Sequence, residues 1–370
     1  MMAHRTNFRA DTVGSLLRPP AVHAARANFE AGKIDASALH AVENNAIRDV
    51  VRMQEDVGLP VVTDGEFRRE NWYAHFVGKL TGVVITAGSS EGFAQQAGQS
   101  KHVPKRVQTI GKVSAPTPIA LQDYQFLGSV TSRAAKVTIP SPTRLHFHGG
   151  RHAVSETAYP DIEDFFADVA SVYRNEIAAL EQAGCRYIQI DDPLMSYFLS
   201  PALRQEVFGE GDDPDRRLAR YVRLVNDCIR GRGAETTIGI HICRGNARSS
   251  WIAQGAYDGI VEACFAGLDV DRFLLEFDDE RSGSFDPLRF IPKHKQVVLG
   301  LITTKHPQLE NKSDILRRVE EATRFVDVDQ LAISPQCGFA SVVEGNLITP
   351  EDQLAKLRLV VEVAQELCGA

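Results

Sequence analysis

His241 and Cys243 are one residue apart in IHICRGN, and on an extended strand that spacing turns both side chains to the same face. An imidazole and a thiolate held side by side are ligands that zinc favours. The pair alone is a weak signal, since free cysteine is often a buried, inert packing residue. Glu276 in LLEFDDE and Cys337 in SPQCG close later apolar runs, and only the fold can bring them to the pair. One nitrogen, two thiolates and a carboxylate are an acceptable ligand set for zinc. Cys185, Cys228, Cys264 and Cys368 fall at apolar positions of helices or turns and read as packing.

These residues need elements that bring distant segments to one rim. Eight short apolar runs read as strands: Phe8–Val13, Pro60–Thr63, Lys136–Ile139, Tyr187–Ile190, Thr237–His241, Phe273–Phe277, Gln296–Ile302 and Gln330–Ser334. Most show no alternation, as expected where both faces are covered. Amphipathic stretches separate them. Phe165, Val169, Tyr173, Ile177 and Leu180 share a helix face after Pro160-Asp161; Asp213-Pro214 and Thr349-Pro350 open two further helices, the second with Leu354, Leu357, Val361 and Ala364 inward. The pattern predicts an α/β fold, a (β/α)8 TIM barrel forming one catalytic domain over residues 1–370. Residues 81–130 break the rhythm and read as an inserted loop and hairpin after the second strand, over the barrel mouth, with Lys101, Lys105 and Arg106 solvated. In such a barrel the chemistry lies at the C-terminal strand ends. Asp191-Asp192-Pro193, His241-Ile242-Cys243, Glu276, Thr303-Thr304-Lys305-His306-Pro307 and Ser334-Pro335-Gln336-Cys337-Gly338 all stand there.

Composition narrows the partners. The chain has 370 residues, 41 basic against 48 acidic, a formal charge of −7. General nucleic-acid binding needs a basic surplus and is not expected. No apolar run approaches the ~18 residues of a membrane span. The N-terminal MMAHRTNFRADT lacks the apolar core of a secretory signal, and six cysteines are too few for a disulfide scaffold, so a reduced, cytoplasmic protein is expected.

Seven segments resemble the catalytic C-terminal barrel of cobalamin-independent methionine synthase, especially short relatives without the N-terminal barrel. They are ADTVGSLLRPP (10–20), VVTDGEFRRENW (61–72), YIQIDDP (187–193), IHICRGN (240–246), LLEFDDE (274–280), VVLGLITTKHPQLE (297–310) and LAISPQCGFAS (331–341). The resemblance implies a Zn2+ site of His241, Cys243, Glu276 and Cys337, the set gathered from strand ends. It implies homocysteine as the thiol substrate, with Val13-Gly14-Ser15 at its carboxylate and Glu66 and Asp191 at its ammonium. A zinc-bound thiolate would then attack the methyl group of a methyl-folate or a methyl-corrinoid protein, giving methionine.

The longer enzymes place a proton-donating histidine after the seventh strand. Lys305 falls at that position here, with His306 beside it, and either is a candidate acid; lysine needs a lowered pKa for the role. The same scaffold serves zinc enzymes that add coenzyme M to epoxides, so a thiol alkyltransferase of that type is an alternative. For that substrate Arg18, Arg68, Arg69 and Arg244 could meet a sulfonate or a carboxylate equally. A non-catalytic zinc- and metabolite-binding barrel is the non-enzyme alternative.

Overall fold

The structure, a computed structural model, describes residues 8–88, 105–199, 204, 205, 208 and 213–367. In chain order the described strands are β1 (Val61–Val62), β2 (Thr81–Thr86), β3 (Arg106–Ser114), β4 (Ala134–Pro140), β5 (Tyr187–Asp191), β6 (Thr237–Ile242), β7 (Arg272–Glu276), β8 (Gln296–Ile302) and β9 (Leu331–Pro335). β1 and β4 to β9 form one seven-stranded sheet in sequence order, every pair parallel. The N-terminal segment closes the ring. Ala10 bridges Ile333 of β9, with the Asp11 amide donating to the Ile333 carbonyl at 2.9 Å. On the other side, the Thr63 hydroxyl donates to the Gly14 carbonyl at 2.7 Å and the Leu16 amide to the Gly65 carbonyl at 3.0 Å.

Phe8–Val13, expected as a strand, therefore contributes a bridge. Asp11 is the physical reason. Its carboxylate turns inward to Lys136, Arg272 and Tyr187 and also accepts the neighbouring Thr12 amide. Side-chain bonds replace a ladder there.

The strands also alternate more than their sequences suggest. On β7, Phe273 and Leu275 join the large core beneath the helices, while Leu274 packs with Val298 and Ala332 in a small separate cluster. The same two-residue period sends Lys136, Tyr187, Gln189, Asp191, His241, Arg272 and Glu276 inward. All are buried. The barrel interior is therefore largely polar, and full burial on both faces coexists with chemical alternation.

Outside the sheet, the helix Ile162–Gln182 starts where Asp161 accepts the Glu163 amide, and its five expected inward residues are all buried. Pro214–Ile229 is capped by Asp213, and Thr349 and Asp352 cap Pro350–Leu367 reciprocally. In that last helix Leu354 is only half-buried. Gln353 and Lys356 turn inward instead, to accept the Leu17 amide and to donate to the Gln308 carbonyl.

β2 and β3 pair antiparallel as a hairpin, and the helix Leu121–Val130 follows. Val113 and Thr109 of β3 are buried, and the Val113 amide donates to Tyr159 at 2.6 Å. Lys105 pairs with Glu70 at the surface at 2.6 Å, and Arg106 is exposed; Lys101 lies outside the described residues. Cys368 lies outside them too, while Cys185, Cys228 and Cys264 are free and buried among apolar neighbours. Among the described residues no helix is long and apolar enough to cross a membrane.

Candidate active site

β6 turns His241 inward and delivers Cys243 just past its end. β7 ends in Glu276, and the turn after β9 carries Cys337. One donor atom from each of the four lies within 4.8 Å of the others, and all four residues are buried. The two sulfurs are 3.4 Å apart. His241 Nδ1 faces the Leu274 carbonyl at 3.3 Å, which assigns it the proton and leaves Nε2 a lone pair. Nε2 and both Glu276 carboxylate oxygens are buried without a hydrogen-bond partner. Orphaned atoms of this kind are costly in a protein interior, and a divalent cation would satisfy all three. The residues fit a metal.

The hydrogen bond from Cys243 holds Cys337 well below the ordinary thiol value, and the same shared proton holds Cys243 well above it. Burial pushes Glu276 up to about 7, against the pull of Lys305.

Glu66 and Asp191 face the same cavity as this cluster. Glu66 has a backbone φ of 61°, a left-handed value that a non-glycine residue holds only when its surroundings enforce it. Its amide donates to Asp64 at 2.8 Å, and Arg18 donates to its carbonyl at 2.9 Å. Its carboxylate accepts from Thr138 at 2.9 Å. Gln189 donates to Asp191 Oδ1 at 2.7 Å and to the Val13 carbonyl at 2.6 Å. The Gln189 amide can point only one way, because its oxygen accepts from the donor-only Lys136 ammonium at 2.8 Å. Burial first, and the Glu66 carboxylate second, push Asp191 up to about 7. Arg69 already stands 3.6 Å from Glu66 Oε1 and, with His241, offsets part of this charge.

Two glycines make the arrangement possible. At Gly14, with φ of 149°, a Cβ would lie 2.9 Å from Glu66 Oε1 and 2.8 Å from Thr138 Cγ2. At Gly338 it would lie 1.9 Å from the hydroxyl of Ser15, which lines the cavity.

The proposed acids separate. The Lys305 ammonium is buried on the Glu276 side, its Nζ 3.9 Å from Asp278 and without a hydrogen bond. Burial pushes its ammonium down, but Asp278, Glu276 and Cys337 outweigh it and hold its pKa above the ordinary lysine value. The lowered pKa that an easy proton donor needs is thus not found. His306 is exposed and does not line the cavity.

The four rim arginines are committed to the protein. Arg18 donates to the carbonyls of Glu66, Arg69 and Ala340, and Arg244 to those of Glu276 and Gly255. Arg69 holds Thr138, and Arg68 pairs with Asp123.

The cavity over these residues has a volume of about 90 Å³. Sequence reasoning missed several of its residues, among them Trp72, Tyr73, Arg144 and Tyr197. The available signals were the ENWY run behind TDGE and the arginine following β4 in SPTR.

Residues 8–366 match the family described as cobalamin-independent synthase, catalytic domain. The chain is 46% identical over 362 residues to the uncharacterized protein YxjH of Bacillus subtilis (strain 168), covering 97% of this chain and 94% of that one. It is 25% identical over 362 residues to the 5-methyltetrahydropteroyltriglutamate–homocysteine methyltransferase of Bacillus licheniformis, of which it spans 42%. A crystal structure described as a vitamin-B12-independent methionine synthase from Listeria monocytogenes superposes with a TM-score of 0.77 at 34% identity, covering 99% of both chains.

Proposed function

We propose, since this chain belongs to the cobalamin-independent methionine synthase family, that it transfers a methyl group to the thiol of homocysteine, giving methionine. The observation that carries the reading is one cavity lined both by three of the metal-type ligands and by the paired carboxylates of Glu66 and Asp191. His241, Cys243, Glu276 and Cys337 would hold zinc. Bound there, zinc would supply acidity, since a free thiol with a pKa of about 8.5 is mostly protonated at neutral pH whereas a coordinating thiol is not.

The chain's own residues do the rest. Glu66 and Asp191 neutralise the substrate ammonium, and Ser15 and the backbone around Gly14 meet its carboxylate. Gln189, fixed by Lys136, holds Asp191 and the Val13 carbonyl in register. Together they fix the thiol's position, so that a methyl donor can be met in line. Lys305 is the closer of the two acid candidates, its Nζ holding a proton beside Glu276 and Asp278. Relatives named for a methylated pteroylglutamate favour a methylfolate over a methyl-corrinoid protein as donor. The carboxylate pair favours an amino-acid thiol over coenzyme M, which has no ammonium.

Cys337→Ser tests the reading. Zinc content, by elemental analysis, and methionine formation should fall together. A variant with full zinc and full activity would overturn it.

A further inference from the structure

Tyr257 and Arg244 tie together two strand ends beyond the point where their ladder stops. The pairing of β6 with β7 runs only to Ile242 and Leu275, one residue short of Cys243 and Glu276. Phe277 donates its amide to Gly300 of β8 at 2.9 Å, so by alternation Glu276 turns its own amide and carbonyl toward β6. Side chains meet them there. The Glu276 amide donates to the Tyr257 hydroxyl at 2.9 Å, and its carbonyl accepts from Arg244 Nη1 at 2.8 Å. Nη1 also donates to the Tyr257 hydroxyl at 2.9 Å, and that hydroxyl's one proton reaches the Ile242 carbonyl at 3.3 Å. Arg244 Nη2 donates to the Gly255 carbonyl at 2.8 Å, and the guanidinium lies 4.2 Å from the centre of the Tyr257 ring. Both side chains are buried, and neither lines the cavity. Tyr257 opens a 3-10 turn, Tyr257–Ile260, that runs straight into a π-helical turn, Val261–Ala266, a winding found mostly at functional sites.

We propose that Tyr257 and Arg244 are positioning residues of the metal site, one brace that sets how far Glu276 stands from His241 and Cys243. The proposal rests on the reading of the four residues as metal ligands. Arg244 directly follows Cys243, so a side chain rooted beside a β6 ligand grips the main chain of the β7 ligand. The Glu276 carboxylate has no hydrogen-bond partner of its own, so its main chain is what aims it. Groups that orient ligands in this way tune metal affinity without touching the metal.

Co2+ is the probe, because its visible d–d bands report ligand number and geometry. It is titrated into metal-stripped protein, and zinc affinity is read by competition with a chromophoric chelator. Tyr257→Phe keeps the ring beside Arg244 and removes only the hydroxyl. It should weaken and shift the d–d bands and lower zinc affinity roughly 10- to 100-fold. Arg244→Lys keeps the charge but loses the fork, and should do the same; the double variant should be no worse than the weaker single one. Tyr173→Phe is the control. It loses an equally buried hydrogen bond, to the Pro140 carbonyl at 2.8 Å, and should keep the wild-type spectrum and affinity. A wild-type spectrum and affinity in Tyr257→Phe overturns the brace. So does an equal loss in Tyr173→Phe, which would make the effect one of general destabilisation, and so do additive losses in the double variant. If Arg244→Lys does not fold, Tyr257→Phe against Tyr173→Phe decides. A wild type that takes up no Co2+ ends the metal reading itself, and the brace with it.

Discussion

At Gly14 the requirement for glycine comes from the carboxylate that leans on it. A methyl group there would meet Glu66 Oε1 and Thr138, on a backbone already at φ 149°. Gly14→Ala should therefore raise KM for homocysteine by roughly tenfold or more, equivalent to about 1–3 kcal/mol of strain, and leave zinc content unchanged. An unaltered KM would remove Glu66 from the ammonium site. His241, Cys243, Glu276 and Cys337 could be gathered from sequence because each closes a recognisable strand and few other residue types bind zinc. Arg144 could not, since nothing in SPTR says that its guanidinium is buried in the cavity wall. Lys305 shows the opposite failure. Its place after β8 was readable, but the sign of its pKa shift depends on Asp278 and Glu276, whose distance only the fold sets.

Among the elements, the strands carry a polar network through the barrel from its base to its rim. Asp11 is paired with Lys136 at 2.8 Å and Arg272 at 3.1 Å, and Lys136 passes to Gln189, which holds Asp191. Lys136→Met would leave the Asp11 charge short of a partner and free the Gln189 amide to turn. Urea unfolding should show a loss of about 3–5 kcal/mol, the usual cost of breaking a buried pair, reduced if Arg272 takes over the carboxylate. A midpoint equal to that of the wild type would contradict the network's role. The strands were legible as apolar runs because their outward residues pack under helices. Their inward residues were not, because a filled barrel buries Tyr187 and Gln189 as completely as Ile188 and Ile190. Phe8–Val13 was misread for the same reason: its apolar ends hide an Asp11 held by side chains.

Across the whole molecule, acid should unfold the protein partly through buried neutral histidines. His146 is packed against Phe166 and bonded to Tyr221 at 3.0 Å, and burial, with nearby arginines, pushes its pKa down to about 3. An unfolded chain takes that proton near 6.5, so stability is lost as pH falls from about 6.5 toward 3. His146→Phe should make that decline shallower by up to about 1.4 kcal/mol per pH unit, read from urea midpoints across the range. An unchanged slope would mean that His146 is already charged in the native state. The barrel itself was legible at this scale from eight spaced runs, though not the share of its interior given to charge.

The central claim is that an amino-acid thiol is bound and deprotonated where His241, Cys243, Glu276 and Cys337 converge. It is tested most directly by titrating L-homocysteine into zinc-loaded and metal-stripped protein, in two buffers of different ionisation heat. The account predicts binding to the zinc-loaded protein with release of about one proton, and no proton release from the stripped protein. Binding of equal strength to both forms, without proton release, would contradict it.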